Sequence, residues 1–459
     1  MQVNGYNVNL VNNMNVNPLN QALALGEIDR PGLWPRLEAL EQRPFAFDID
    51  FGLGELPVAP GIIVIRGARQ FGKSTWLDTE LKGTIEAFGK GSAFYLNGDD
   101  CADVNDLWNG LRDLDNSFAA DAKIRRIFVD EITAVKGWEK AVKRLWDAGG
   151  IRKVLLVTTG SNARDLRRGS ERLPGRKGQL LRTDFVFLPL SYASFASHAR
   201  KRFKEKTWLA YMLSGGSPAL ALDLVQFGSI APASLQVIRD WIMGDVVGTG
   251  RSRIFLTHLM RAFFRFGGTS VGYNKLARES GFANNTVAAG YVEQLSDLLA
   301  VLPAWAYEAE KKAFNLKKPA RFHFVNLAVA LAFSPLAIRS VGEFEALPNS
   351  DQSIWLEWFV AFHLWREANL QNVENPEKLG FWQSRDNEID FVDAEGNFVE
   401  VKRGRAGPLD FGWFPRVFPG GTLTVISNSR FTTNSVTGLT FEDFISAGKV
   451  SGSSGRYPT

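Results

Sequence analysis

The sequence predicts an α/β chain that begins with a doubly wound parallel-sheet domain and continues into a winged helix-turn-helix and a small mixed α/β domain. Three observations predict it. Between Gly61 and Pro189 short apolar runs alternate with helical stretches. Gly67-Ala-Arg-Gln-Phe-Gly-Lys-Ser74 follows the first of these runs, and beyond Tyr273 the rhythm becomes helix-turn-helix, then strands that end in Phe398-Val-Glu-Val-Lys402. Continuous apolar strands separated by helices imply a parallel sheet covered on both faces.

The chain has 459 residues, which exceeds one hydrophobic core and suggests roughly three domains. Its net charge of +4 is a small excess, so the placement of the basic residues carries more information than their number. Cys101 is the only cysteine, which rules out an internal disulfide framework or a cysteine-based zinc site and fits a reducing compartment. No run reaches the 18 or so apolar residues of a membrane span, and the N-terminus lacks a signal layout, so a cytoplasmic protein with no membrane partner is expected.

Met1 to about Gln21 is asparagine-rich and reads as a flexible tail, followed by a short amphipathic helix from Leu33 to Leu40. Residues 1–45 are therefore assigned to a tail and short helix, and 46–195 to the nucleotide-binding domain. Ile62 to Arg66 is a β-branched strand, and G-x-x-x-x-G-K-S directly behind it is a phosphate-cradling loop. Gly67 and Gly72 allow the wrapped backbone, so that N–H groups from Gly67, Ala68, Arg69, Gln70, Phe71 and Gly72 can turn onto phosphate oxygens. Lys73 reaches the β- and γ-phosphates, Ser74 offers its hydroxyl to Mg²⁺, and Thr75 lies in the first turn of a helix whose positive end faces the same anions. ATP with Mg²⁺ is the expected cofactor.

Ser92 to Leu96 is the next strand, then Ile127-Phe-Val-Asp-Glu131. An apolar strand ending in two carboxylates places Asp130 to hold Mg²⁺ through water and Glu131 to polarise the attacking water. A helix from Trp138 to Trp146 precedes the strand Lys153 to Thr159, whose tip offers Ser161 or Asn162 as a γ-phosphate sensor; Gly-Ser-Asn is equally simple turn chemistry. In the basic stretch that follows, Arg176 is the candidate arginine aimed at a γ-phosphate, within one chain or across a ring or dimer of copies. A solvated or DNA-facing loop is the alternative.

These landmarks, with Thr159-Gly-Ser161, Leu173-Pro-Gly-Arg176, Phe187-Leu-Pro-Leu-Ser191 and Gly215-Gly-Ser-Pro218, resemble in this order the archaeal-type ATPases of the AAA superfamily. The resemblance spans about Gly61 to Lys402. It implies an ASCE P-loop sheet, with the acidic strand beside the phosphate-loop strand, and a C-terminal module joining a winged helix to a restriction-endonuclease-like α/β domain. Phe322-His-Phe-Val-Asn326 departs from it, with asparagine where relatives commonly show aspartate.

Residues 196–250 read as a helical lid broken at Gly215-Gly216. Residues 251–335 read as a winged helix: Leu276 and Ala277 are buried by the first helix, Gly281 makes the turn, and Asn285 or Thr286 caps the second. In DNA-binding versions the start of that second helix enters the major groove, here Asn284, Asn285 and Thr286. Leu299 to Leu302 and Ala320 to Val325 would pair as the wing, with Lys311, Lys312, Lys317, Lys318 and Arg321 at or near its tip for phosphate contacts. Domain packing with solvated lysines is the alternative.

Residues 345–445 carry the second constellation, before a flexible tail at 446–459. Glu357 lies on the helix Trp355 to Leu364, Asp390 on Glu388-Ile-Asp-Phe-Val392, and alternation puts Glu400 and Lys402 on one side of their strand. This layout resembles the PD-(D/E)xK nucleases. Asp390 and Glu400, with Glu357 as an added acid, would share Mg²⁺ or Mn²⁺, and Lys402 would orient the attacking water. The same fold also serves as a DNA-binding or packing module. His363 and Glu367, one turn apart, read as a surface pair. Three functions stay open: an ATP-driven DNA motor or junction-processing enzyme, an ATP-gated endonuclease of defence or mobile-element type, and a nucleotide switch for a protein partner.

Overall fold

The computed structural model describes residues 17–160, 166, 169–173, 175, 176, 178 and 180–446. Its chain divides into two compact units, the first comprising the chain up to Ala46 with Leu53–Phe187, the second Phe47–Gly52 and the chain from Leu188 on.

In the first unit, α1 (Pro18–Leu25) and α2 (Pro35–Glu41) precede β1 (Gly61–Arg66), α3 (Lys73–Phe88), β2 (Ala93–Asn97), α4 (Val104–Ser117), β3 (Arg126–Asp130), α5 (Trp138–Asp147), β4 (Leu155–Gly160) and β5 (Asp184–Val186). The five strands form one parallel sheet in the order β2-β3-β4-β1-β5. Both faces are covered, so Ile62, Ile63, Ile127, Phe128, Leu156 and Val157 are all fully buried, and the strands need no polar alternation. Leu107, Leu111 and Leu114 recur at helical spacing along α4 and join this core. Asp103 starts that helix by accepting N–H bonds from Asn105 and Asp106.

Two expectations are corrected here. The acidic strand β3 is not beside β1. β4 lies between them, with Thr158 opposite Val64 on one side and Val129 on the other. The tail assigned through Gln21 is also shorter, because α1 starts at Pro18 under an Asn17 cap. Asn20 then behaves as a strand residue in side-chain form: its amide donates to the Tyr95 carbonyl (2.7 Å) and accepts from the Tyr95 N–H (2.8 Å). It thereby covers the edge strand β2, which would otherwise present unpaired backbone groups. Residues before Asn17 and after Ser446, assigned to tails, lie outside the described residues.

The second unit opens with helices α6 (Tyr192–Phe203), α7 (Thr207–Ser214), α8 (Pro218–Phe227), α9 (Pro232–Val247), α10 (Arg253–Arg265), α11 (Tyr273–Ser280) and α12 (Asn285–Asp297). β6 (Val301–Glu308), β7 (Ala313–Asn315) and β8 (Arg321–Phe324) follow, then α13 (Leu327–Phe333), α14 (Val341–Glu345) and α15 (Asn349–Leu370). β9 (Leu379–Gln383), β10 (Glu388–Val392), β11 (Phe398–Val401), α16 (Phe414–Val417), β12 (Leu423–Ser427), β13 (Phe431–Thr432), β14 (Val436–Thr440) and α17 (Phe441–Ser446) complete it. β6 pairs antiparallel with β8, giving the expected hairpin, and also pairs in parallel with β9. The wing and the C-terminal strands therefore share one nine-stranded sheet.

α15 is buried around its middle, where an amphipathic helix was expected: Trp355, Trp358, Phe359, Phe362 and Trp365 line one face, and Leu356, Val360 and Ala361 on the other sides are buried as well. His363 is likewise no surface residue. It packs edge-on against Phe444, and burial lowers its pKa to about 3. Among the described residues no helix is long and apolar enough to cross a membrane.

Candidate nucleotide site and nucleic-acid interface

At the C-terminal ends of β1, β3 and β4 the first unit gathers the predicted groups. Gly72, at φ 98°, caps α3 just as the loop meets it, and Gln70 adopts φ 66° within the loop. Gly67 lies so close to the chain after β5 that a Cβ there would stand 2.8 Å from Phe187 Cβ. Ala68 and Phe71 are buried, Arg69 and Gln70 exposed, and Ser74 and Thr75 half-buried at the start of α3. Lys73 is 5% exposed and curls back into the loop, donating to the carbonyls of Gly67 (2.9 Å) and Ala68 (2.8 Å).

Asp130 is buried at the tip of β3. Its Oδ1 accepts from the Thr159 hydroxyl (2.6 Å) and from the Glu131 N–H (3.2 Å). Thr159 carries no assigned role in the sequence beyond the Thr159-Gly-Ser161 landmark; the sensor candidates Ser161 and Asn162, two and three residues further on, lie outside the described residues. The β4 position between β1 and β3 is the reason Thr159 reaches Asp130. Glu131 sits in the left-handed region at φ 47°, a conformation that costs a non-glycine residue about 1–3 kcal/mol and is concentrated at functional sites.

Gly98 makes that turn possible. A Cβ there would meet the Glu131 carbonyl at 2.3 Å, and neither backbone can give way cheaply. Gly98→Ala is therefore expected to displace Glu131 while leaving the loop of Gly67 to Ser74 in place. Nucleotide binding should stay within about threefold and hydrolysis fall by on the order of 10²-fold, checked by binding and phosphate-release assays on the same preparation.

Arg36, from α2, reaches the same place. Its Nη1 lies 3.3 Å from Asp78 Oδ1 and Oδ2, and its Nη2 3.5 Å from Asp130 Oδ2. Burial pushes the Asp78 carboxyl up to about 6 against the pull of Arg36. Arg176 turns to Asp147, with Nε 2.8 Å from Oδ1 and Nη2 3.2 Å from Oδ2.

The donors suit a nucleotide carrying Mg²⁺: a tight glycine-bearing loop, a buried lysine, a half-buried hydroxyl and one carboxylate fixed at a strand end. The family comparison agrees, since residues 59–196 match the model of the AAA domain. Residues 59–196 form an AAA domain. Uncharacterized protein MJ1544 of Methanocaldococcus jannaschii is 29% identical over 180 residues, which are 37% of this chain and 38% of that protein, so well under half of the relative is spanned. Among solved structures, the Walker-type ATPase PABY2304 of Pyrococcus abyssi overlaps 59% of this chain and 90% of its own, at TM-score 0.41 and 13% identity. The Aeropyrum pernix ORC1 protein, solved in complex with DNA, overlaps 70% and 93% at TM-score 0.31 and 15% identity. These overlaps are too loose to bear on function.

In the second unit, Asn284 caps α12, accepting from the Val287 N–H (3.0 Å), where Asn285 or Thr286 had been expected to do so. Asn284, Asn285 and Thr286 are all exposed, while Leu276, Ala277, Ala288 and Leu295 bury the inner faces of the two helices. Lys311, Lys312, Lys317 and Lys318 are exposed in the turns flanking β7. Glu308 accepts an ion pair from Lys311 (2.6 Å) and lies 3.4 Å from Lys318. Arg321 does not join them. It is only 3% exposed, so its place near the wing tip is corrected: β8 pairs Arg321 with Ala304 and turns its side chain into the acidic cluster.

There Arg321 Nη1 stands 3.2 Å from Asp390 Oδ1 and Nη2 2.7 Å from Glu388 Oε2, with the guanidinium over the Phe381 ring at 4.6 Å. Asp390 Oδ2 accepts from the Val401 N–H (2.9 Å). Glu400 is taken on both oxygens, by Lys402 Nζ (2.6 Å) and the Asp390 N–H (3.1 Å). Burial, then the neighbouring Asp390, pushes Glu400 up to about 8, and burial likewise raises Glu357 well above the usual carboxylate range. The structure thus gathers Glu357, Asp390, Glu400 and Lys402 as the sequence suggested, but around a guanidinium. Among the described residues no three His, Cys, Asp or Glu side chains form a group that could hold a metal ion. This donor set does not fit a divalent cation.

Proposed function

We propose that this chain is a Mg²⁺-dependent ATP hydrolase that binds duplex DNA through its second unit. The observation that carries the hydrolase reading is the convergence of Lys73, Asp130, Glu131 and Thr159 at the strand ends of the AAA domain. Lys73 contacts the β- and γ-phosphates, Ser74 and Asp130 hold the metal, and Glu131 orients the attacking water. The Mg²⁺ that Ser74 and Asp130 would hold would supply positive charge against the charge developing on the transferred phosphoryl group.

The DNA reading rests on the polar, exposed start of α12 beside the buried helix-turn-helix core, together with the four wing lysines. Asn284, Asn285 and Thr286 meet base edges, and the lysines meet phosphates. Cleavage is no part of this reading, because Arg321 and Lys402 occupy the carboxylates that would hold its metal. Replacing Lys311, Lys312, Lys317 and Lys318 with Gln is expected to weaken binding uniformly across sequences. The slope of log affinity against log salt should fall by about one for each lysine that meets a phosphate. Fluorescence anisotropy on a duplex across a salt series checks it, and an unchanged slope would move the DNA surface elsewhere.

A further inference from the structure

Asp130 Oδ1 is engaged twice, by Thr159 and by the Glu131 N–H. Oδ2 is the oxygen left for a hydrated magnesium ion, and it is the one that Arg36 approaches. Arg36 comes from outside the sheet. α2 is placed by Trp34, buried against the loop before it and donating to the Ile28 carbonyl (2.8 Å), and by packing along α3. The guanidinium is divided between two carboxylates, Asp78 on α3 and Asp130 on β3, and its side chain keeps 43% exposure, so it has room to withdraw. The phenol of Tyr95 adjoins the same group.

We propose that Arg36 competes with the magnesium shell for Asp130 Oδ2, with Asp78 as the second anchor that takes Arg36 when the metal arrives. Arg36 is in this account a positioning residue. It neutralises a buried carboxylate before nucleotide binds and sets how much Mg²⁺ is needed to replace it. α2 is thereby coupled to occupancy of the nucleotide site, since the cation on it must shift when the metal enters. The proposal rests on the reading of Gly67 to Ser74 as that site.

The test is a magnesium titration of the full chain with a fluorescent ATP analogue, with binding in EDTA as reference. Arg36→Gln should lower the half-saturating Mg²⁺ by about three- to tenfold, because a competing charge is gone from a partly screened pair. Asp78→Asn should raise it, because Arg36 then leans on Asp130 alone. Structural damage by Arg36→Gln would weaken binding, so a reduced metal requirement separates competition from misfolding. A half-saturating Mg²⁺ that is unchanged or higher in Arg36→Gln, with normal binding by the wild type, overturns the proposal. No Mg²⁺-dependent nucleotide binding by the wild type would instead remove the nucleotide site itself, and the proposal with it.

Discussion

Lys73→Ala should lower ATP hydrolysis by on the order of 10²–10³-fold, the usual cost of removing one charged group from a transferring phosphoryl group. The side chain is almost fully buried in the loop, and its polar partners include the carbonyls of Gly67 and Ala68. Losing two such bonds costs about 1 kcal/mol each, far less than a cavity in the sheet. The variant should therefore melt within a few degrees of the wild type and still bind DNA. Phosphate release, measured beside thermal denaturation, checks both halves. Undiminished turnover would place the chemistry elsewhere in the chain.

Arg321→Ala should be the most destabilising single change in the second unit, by about 3–5 kcal/mol, because it leaves a buried carboxylate without its counter-charge. Asp390 is 5% exposed, and Glu357, close by, has an oxygen with no hydrogen-bond partner. The deficit should depend on pH. A carboxyl whose folded pKa is raised stabilises the fold below its unfolded pKa, and that contribution is lost as pH climbs through the folded value. Burial already raises Asp390 and Glu357 against the pull of Arg321, and losing Arg321 raises both further, so the deficit should be smallest near pH 5 and grow as the pH climbs. Denaturant titrations across that pH range measure it. An equal deficit throughout would mean that Arg321 contributes packing over Phe381 and little charge.

The local signals were legible. The phosphate loop, the acid-tipped strand and the helix-turn-helix are each written in consecutive residues, where spacing dictates geometry. What escaped was brought in from a distance. Arg36, Gly98 and Thr159 meet Asp130 and Glu131 only because α2 packs on α3, β2 pairs with β3 so that Asn97 stands opposite Asp130, and β4 enters between β1 and β3. Arg321 was grouped with the wing lysines by its neighbours in sequence, whereas the pairing of β6 with both β8 and β9 turns it inward. Asn17-Pro18 did carry a readable helix start, a capping side chain followed by a proline at the first helical position. The asparagine-rich composition around it masked that signal. His363 followed the polar character of its residue type, and the aromatic packing at the end of the chain reversed it.

The central claim is that an AAA nucleotide site and a DNA-binding unit work in one chain. The most direct measurement is phosphate release from ATP by the full chain in Mg²⁺, alone and with single-stranded, duplex and branched DNA. The account predicts Mg²⁺-dependent hydrolysis that duplex or branched DNA stimulates and Lys73→Ala abolishes. Hydrolysis indifferent to every DNA form, with no DNA bound at low salt, would contradict it.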